Sequence, residues 1–228
     1  MTVPASPDAL AVLRRIRSRP ADSPPGERCE MCGEPIPADE QTLLPRAGGN
    51  GRAHAHVVDL GHRRLLCTCR PCALLFTADD ATLAYRTVPD RYLSLPQLDV
   101  DWDALDVPVG LAFFFVNSTL GRTVGCYPSP AGATESQLPL ARWHDVVEAN
   151  PVLGDLRPDV EALLVGHRGP TTTDSYLVPI DACYALVGQL RQRWRGFDGG
   201  SDVRDLLTAF FTELAAVSRP APRVEPSR

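Results

Sequence analysis

The sequence contains no lysine, so all 23 of its basic residues are arginines. A GC-rich coding sequence explains this bias together with the abundance of alanine and proline. A functional use of the forked guanidinium group, which binds carboxylates or phosphates, is the alternative explanation. Acidic residues outnumber the arginines and give a formal net charge of −5. No overall positive field therefore favours nucleic acid as a partner.

Long apolar runs are missing as well. No stretch of about 18 apolar residues is present, so the sequence predicts no membrane-spanning helix. The opening segment MTVPASPDALAVLRRIRSR lacks the uninterrupted apolar core and the small-residue cleavage site of a signal peptide. Seven cysteines without an export signal indicate a reducing compartment, and we expect a cytoplasmic protein.

The common catalytic and nucleotide-binding motifs are also missing: the sequence has no G-x-S-x-G, P-loop, G-x-G-x-x-G or H-E-x-x-H pattern. His144 and His167 stand alone in predicted helices. The segment CYPSPAGATES, 126–136, is a candidate functional loop, although Thr134 and Glu135 more simply begin the next helix. The sequence therefore indicates no catalytic residue, and we expect a protein that is not an enzyme.

Composition and the positions of proline- and glycine-rich segments divide the chain into four parts. Residues 1–26 are predicted to form a helix and a linker, 27–80 a cysteine-bearing module, 81–218 an α+β domain, and 219–228 a disordered tail. With 44% hydrophobic residues, the chain can bury a substantial core.

Residues 81–218 alternate between strand-like and helix-like patterns, which predicts an α+β class with a mixed or antiparallel sheet. The predicted strands are 83–88, 109–118, 122–128 and 175–180. The predicted helices are 138–149, 155–166, 182–195 and 202–217, with Asp181 as the N-cap of the third.

Two C-x-x-C pairs are the strongest chemical signal. Cys29 and Cys32 are followed by Gly33, which permits the positive φ that a metal-binding knuckle needs. Cys69 and Cys72 form the second pair. The 36 residues between the pairs exceed the spacing of compact zinc ribbons, and a loop insertion at 46–55 accounts for the excess.

The second pair has a different setting from the first. HVVDLGHRRLLC, 56–67, reads as a hairpin, and the apolar run after Cys72 reads as a helix, whose N-terminus favours thiolate charge. Knuckle, hairpin and helix in this order resemble treble-clef zinc folds and favour a structural Zn(Cys)4 site. A rubredoxin-type iron site, the alternative, normally uses two similar knuckles.

Cys67 is the remaining thiol of the C-x-C-x-x-C pattern. Strand alternation places it on the same side as Cys69, and packing beneath the metal site is the favoured interpretation. A fifth thiol serving an iron–sulfur cluster is the alternative. Cys67 and His56 are the candidates for an additional metal ligand. His54, His56 and His62 are all possible replacement ligands, but each fits better as a surface or hairpin residue that hydrogen-bonds to the ligands.

Arginines are predicted to lie around the metal site, where they offset thiolate charge. Arg63, Arg64 and Arg70 could also form a basic patch for nucleic acid, but no stacking aromatic residues accompany them.

Five segments of the sequence form a characteristic combination: GERCEMCGEPI, HVVDLGHRRLLCTCRPCALLF, VPVGLAFFFVNS, YPSPAGATES and RWRGFDGG. Together they resemble a bacterial family of unknown function that is encoded beside high-affinity uptake [NiFe]-hydrogenase genes. The resemblance covers about residues 10–215. The loop at 46–55 departs from the family pattern.

The resemblance implies an accessory role in hydrogenase maturation or assembly, with hydrogenase subunits or maturation factors as partners, and it implies no catalytic residues. Two other hypotheses stay open. The same cysteines could serve electron transfer or iron–sulfur handling, and the arginine patch could belong to a nucleic-acid-binding regulator.

Overall fold

The computed structural model describes the backbone of residues 27–36, 43–44, 54–77, 84–96, 98, 100, 110–136, 140–167, 173–196 and 199–222. The predicted helix and linker at 1–26 lie outside the described residues. None of the helices in these ranges combines the length and the apolar character that a bilayer crossing needs.

A small antiparallel sheet with strand order β2-β1-β3 carries the cysteine-bearing segment. Its strands are β1 (His54–Asp59), β2 (Arg64–Cys69) and β3 (Tyr85–Thr87), and helix α1 (Arg70–Leu74) follows β2 directly. The register of β1 and β2 confirms the predicted hairpin and its turn. β3 lies beyond the boundary predicted at residue 80, yet it pairs with β1.

A mixed seven-stranded sheet forms the larger part of the fold, in the order β10-β4-β9-β8-β5-β6-β7. All neighbours are antiparallel except β10 and β4. The strands are β4 (Leu93–Ser94), β5 (Leu111–Asn117), β6 (Arg122–Ser129), β7 (Gly132–Ser136), β8 (Glu161–His167), β9 (Thr173–Pro179) and β10 (Arg219–Pro220). The predicted α+β class with a mixed sheet is confirmed.

Helices cover both faces of this sheet: α2 (Leu140–Ala149), α3 (Ile180–Arg193) and α4 (Gly200–Val217). Alternate residues of the central strands enter opposite cores. Phe113 and Leu164 pack with α3 and α4, whereas Phe114 and Leu163 pack with α2. The central strands are therefore apolar on both faces, as predicted for 109–118.

Cysteine and tryptophan side chains contribute to both cores of the large sheet. Cys126 and Cys183 lie in the larger core, and Trp143 stacks on Phe114 in the smaller one, with ring centroids 4.8 Å apart. Trp194 packs partly buried against the larger core.

The helix predicted at 155–166 is wrong. A short 3-10 helix, Pro151–Asp155, precedes strand β8, which pairs with β5 on one side and β9 on the other. Because β8 is buried on both faces, its apolar run has no alternation that would separate it from a buried helix. The strand places His167 in the sheet, whereas His144 lies exposed on α2 as part of a helix, as predicted.

The interpretation of 126–136 as a loop or a helix start is also wrong, because β6 and β7 form a hairpin there. Gly132 has a φ of 119° and begins β7. The Thr134 hydroxyl donates a hydrogen bond to the Ser129 hydroxyl across the turn. These polar groups therefore stabilise a hairpin end.

Asp181 does not cap its helix. Helix α3 begins two residues earlier than predicted, at Ile180, and its N-cap is Pro179. The Asp181 side chain instead bonds to His56 of the small sheet at 2.7 Å. The prediction of a disordered tail at 219–228 is wrong for Arg219 and Pro220, which form β10, and residues 223–228 lie outside the described residues.

A buried ion pair fixes the start of β8. Glu161 is fully buried, and both of its carboxylate oxygens accept hydrogen bonds from Arg91, at 2.7 Å from Nε and 2.6 Å from Nη2. The Arg157 backbone N–H also donates to Glu161. Removing the arginine would leave an unpaired charge in the interior.

We therefore predict that Arg91→Ala lowers the free energy of unfolding by about 3 kcal/mol, measured by denaturant titration. Arg122→Ala is the matched control, because Arg122 pairs with Glu135 at 2.7 Å but both side chains are more than two-fifths exposed. The control loses less than about 1 kcal/mol. Equal losses in the two variants would contradict this account of Glu161.

Candidate metal centre

The first C-x-x-C pair lies in a tight knuckle. The Gly33 N–H donates to the Cys29 carbonyl at 2.8 Å, and the Cys29 N–H donates to the Glu34 carbonyl at 2.9 Å. Gly33 has a φ of 77°, as the sequence predicted for the residue after the second cysteine. Open space surrounds the position where a Cβ would stand, so glycine is required by backbone conformation and not by crowding.

The second pair lies where the hairpin becomes a helix. Cys69 ends β2 and is the N-cap of α1, Pro71 occupies the first turn, and Cys72 follows within it. Proline suits this position because a backbone N–H in the first helical turn would have no acceptor within the helix, so proline loses no hydrogen bond there. The predicted helical setting of this pair is confirmed.

Two hydrogen bonds join the knuckle to the hairpin. The Glu30 N–H donates to the Cys67 carbonyl at 2.9 Å, and the Cys67 N–H donates to the Glu30 carboxylate at 2.7 Å. This reciprocal pair places the knuckle beside the last residues of β2, where the second pair of cysteines begins.

The four thiol sulfurs of Cys29, Cys32, Cys69 and Cys72 all lie within 4.8 Å of one another. The Cys32 and Cys69 sulfurs are 3.7 Å apart. A tetrahedral site with metal–sulfur bonds of about 2.3 Å has sulfur–sulfur edges of about 3.8 Å. The four cysteines can therefore hold one metal ion.

The thiols of this group differ in their electrostatic surroundings. Burial alone would raise the pKa of Cys29, but backbone N–H groups of Cys32, Cys69 and Met31 outweigh it and lower that pKa to about 6. A hydrogen bond with Cys69 and, to a smaller extent, burial raise the pKa of Cys72 to about 12. Several thiolates this close repel one another, and a divalent cation removes that repulsion.

Cys67 lies outside the four-cysteine group. Its thiol is half-buried and lies 3.6 Å from a carboxylate oxygen of Glu27. Burial, followed by the negative charges of Glu27 and Glu30, raises the pKa of Cys67 to about 12. The potential ligand atoms of His54, His56 and Cys67 form a second group within 4.8 Å.

His62 and Arg64 lie at the turn end of the hairpin, away from the cysteine pair at its other end. Asp59 binds His62 at the hairpin turn, at 2.9 Å from Nδ1, and Arg64 lies 3.8 Å from the same carboxylate. The expectation that Arg63 and Arg64 surround the metal site is wrong, because the extended β2 separates Arg64 from Cys69 by about 17 Å. Of the three arginines, only Arg70 is adjacent in the sequence to the second cysteine pair, because it follows Cys69 and begins α1.

A cavity of about 230 Å³ lies at the turn end of the hairpin, between the two sheets. Its lining includes Arg63, Arg64, Phe115, Asn117 and Tyr184. These residues come from distant segments that pack together, so no local motif indicated them.

Metal removal should open the knuckle locally. We predict that a chelator accelerates amide hydrogen exchange at Cys29 and Gly33, while the amides of Leu163 and Leu164 in β8 stay protected. Cys69→Ser should produce the same local change without the chelator.

Cys126→Ala is the matched control, since it removes a buried thiol from the large core and leaves the four-cysteine group intact. Slow exchange at Gly33 in the chelated protein, equal to that before chelation, would show that the knuckle does not depend on a metal.

Comparison with known proteins places this architecture in a family. A family model described as a family of unknown function (DUF5947) matches residues 28–218, which include both cysteine pairs and strands β1 to β9. No curated protein and no solved structure matches the chain. Because the match covers most of its length, the chain belongs to the DUF5947 family.

Proposed function

We propose that the protein is a non-enzymatic accessory factor for the maturation or assembly of a [NiFe]-hydrogenase, acting in the cytoplasm. In this proposal, residues 27–80 together with strand β3 form a zinc module of treble-clef type, and the rest of residues 81–218 form the domain that supports it. The observation that carries the proposal is the group of four cysteine sulfurs.

The donor set supports zinc in a structural role. Four thiolates close the coordination sphere of Zn²⁺, so the ion stabilises the fold and does not activate water. The order of a Cys29–Cys32 knuckle, a hairpin and a helix bearing Cys69 and Cys72 supports the treble-clef assignment.

Exposed apolar side chains beside the metal site support a role in docking. Leu74 and Leu75 at the end of α1 are 57% and 70% exposed, and Cys72 lies in the same short helix. A metal ion bound by Cys72 would hold this helix end in a fixed orientation. The resemblance of the sequence to proteins encoded beside hydrogenase genes supports hydrogenase subunits or maturation factors as the partners.

Electron transfer is the second candidate function. Cys32 is exposed, and Cys69 and Cys72 are only half-buried, so an iron ion at the same sulfurs would lie near the surface. Against it, the second pair begins a helix and does not repeat the knuckle of the first. The helical setting favours zinc over a rubredoxin-type iron.

Deletion of the gene in its native host tests the proposal. We predict a loss of mature [NiFe]-hydrogenase activity that the wild-type gene restores and a Cys32→Ser, Cys72→Ser double variant does not. Cys126→Ala, which leaves the four-cysteine group intact, should restore activity. Unchanged hydrogenase maturation in the deletion strain would rule out the proposed role.

The same strain tests the docking surface. Leu74→Glu with Leu75→Glu should fail to restore activity and should no longer co-purify with hydrogenase proteins. The matched control is Leu120→Glu, because Leu120 is also exposed, at 42%, but lies in the β5–β6 turn of the large sheet. Full activity of the double leucine variant would contradict docking through α1.

A further inference from the structure

A second cluster of potential ligands lies on one face of the β1–β2 hairpin. His54 and His56 are two residues apart on β1, so their side chains project from the same face. Cys67 lies directly opposite His56 on β2. One potential ligand atom from each residue lies within 4.8 Å of the others, and none of the three belongs to the four-cysteine group.

The two imidazoles are close to each other without stacking. Their ring centroids are 4.9 Å apart, with an interplanar angle of 83°. Cys67 and both histidines are partly exposed, so an ion can reach them from solvent. Imidazole and thiolate are ligands that divalent ions such as Zn²⁺ and Co²⁺ prefer to the oxygen ligands of Mg²⁺ or Ca²⁺.

A buried carboxylate orients one of these histidines. Oδ2 of Asp181 lies 2.7 Å from Nδ1 of His56, and the Asp181 side chain is only 7% exposed. Metal-binding histidines commonly donate their second ring N–H to a carboxylate in this way, which fixes the tautomer and directs the other nitrogen at the metal. With Nδ1 bonded to Asp181, Nε2 is the nitrogen of His56 that can bind an ion.

The second carboxylate oxygen of Asp181 is not compensated by a hydrogen-bond donor in the described part of the chain. Its Oδ1 is buried and has no hydrogen-bond partner among the described residues. The N-terminal turn of α3 offers a partial positive charge to this side chain, but it leaves Oδ1 unpaired. A divalent cation on His56 would offset the buried negative charge.

We propose that His54, His56 and Cys67 bind a second divalent transition-metal ion, separate from the four-cysteine site and oriented through Asp181. This site differs from the first in having only three protein ligands. Three ligands leave a coordination position for an exchangeable water or an incoming ligand. The Cys67 thiol donates a hydrogen bond to the Glu27 carboxylate at 3.6 Å, so an acidic group lies next to this proposed ligand.

This inference does not depend on the hydrogenase role. It also reassigns Cys67 and His56, which the sequence suggested as additional ligands of a single site. The hairpin explains why the sequence pattern was ambiguous: its one face carries both Cys67 and Cys69, so adjacent sites share a strand.

Cobalt titration of the full-length apoprotein tests the proposal. We expect the wild-type chain to bind about two Co²⁺ ions and the His54→Ala, His56→Ala double variant about one. The thiolate-to-cobalt absorption of the four-cysteine site should persist in the variant, which shows that the module is folded. His144→Ala, which removes an exposed histidine from α2, should still bind about two ions.

A conservative variant keeps the test decisive if the double variant does not fold. Asp181→Asn preserves the size of the side chain and should weaken binding of the second ion by about 10- to 100-fold while leaving the first unchanged. A wild-type chain that binds one ion, or a second ion that binds equally well after either change, would overturn the proposal. If histidine removal weakens only the first ion, the histidines serve the four-cysteine site and the proposal is wrong.

Discussion

Contact among four cysteine sulfurs organises the small sheet and the knuckle beside it. The apolar cluster of this region is small: Ala55, Val57 and Ala73 are buried in it, and Met31, Phe76 and Tyr85 pack partly buried around them. Ile36 and Leu66 are also buried. A core of this size cannot offset the conformational entropy lost in ordering the knuckle and the hairpin. A metal ion at the four cysteines would supply the missing free energy, because its binding free energy is gained only when folding brings the ligands together.

The large sheet gives this module a fixed support. Val58 and Leu65 of the hairpin pack against the larger core, and the Arg86 guanidinium binds Asp159 at 3.1 Å. The contact of His56 with Asp181 adds a third connection between the two sheets. These connections hold the four-cysteine group in one orientation relative to the large sheet, as the proposed docking function would require.

Local sequence signals were sufficient where the structure itself is local. The C-x-x-C pairs with Gly33, the hairpin and the helix at Cys72 could all be predicted from neighbouring residues. Strand β8 could not, because burial on both faces removes the alternation that identifies a strand. The role of Asp181 was also inaccessible, since its partner His56 lies 125 residues away in the chain. The arginines at the hairpin turn were misplaced because closeness in sequence along an extended strand does not mean closeness in space.

Elemental analysis of the purified full-length protein, combined with its visible absorption spectrum, tests the central claim most directly. A closed four-thiolate zinc site predicts bound zinc, no stoichiometric iron and a colourless solution, because Zn²⁺ has a filled d shell. Bound iron with the red to brown absorption of iron–thiolate centres would contradict the structural role and favour electron transfer at the same four cysteines.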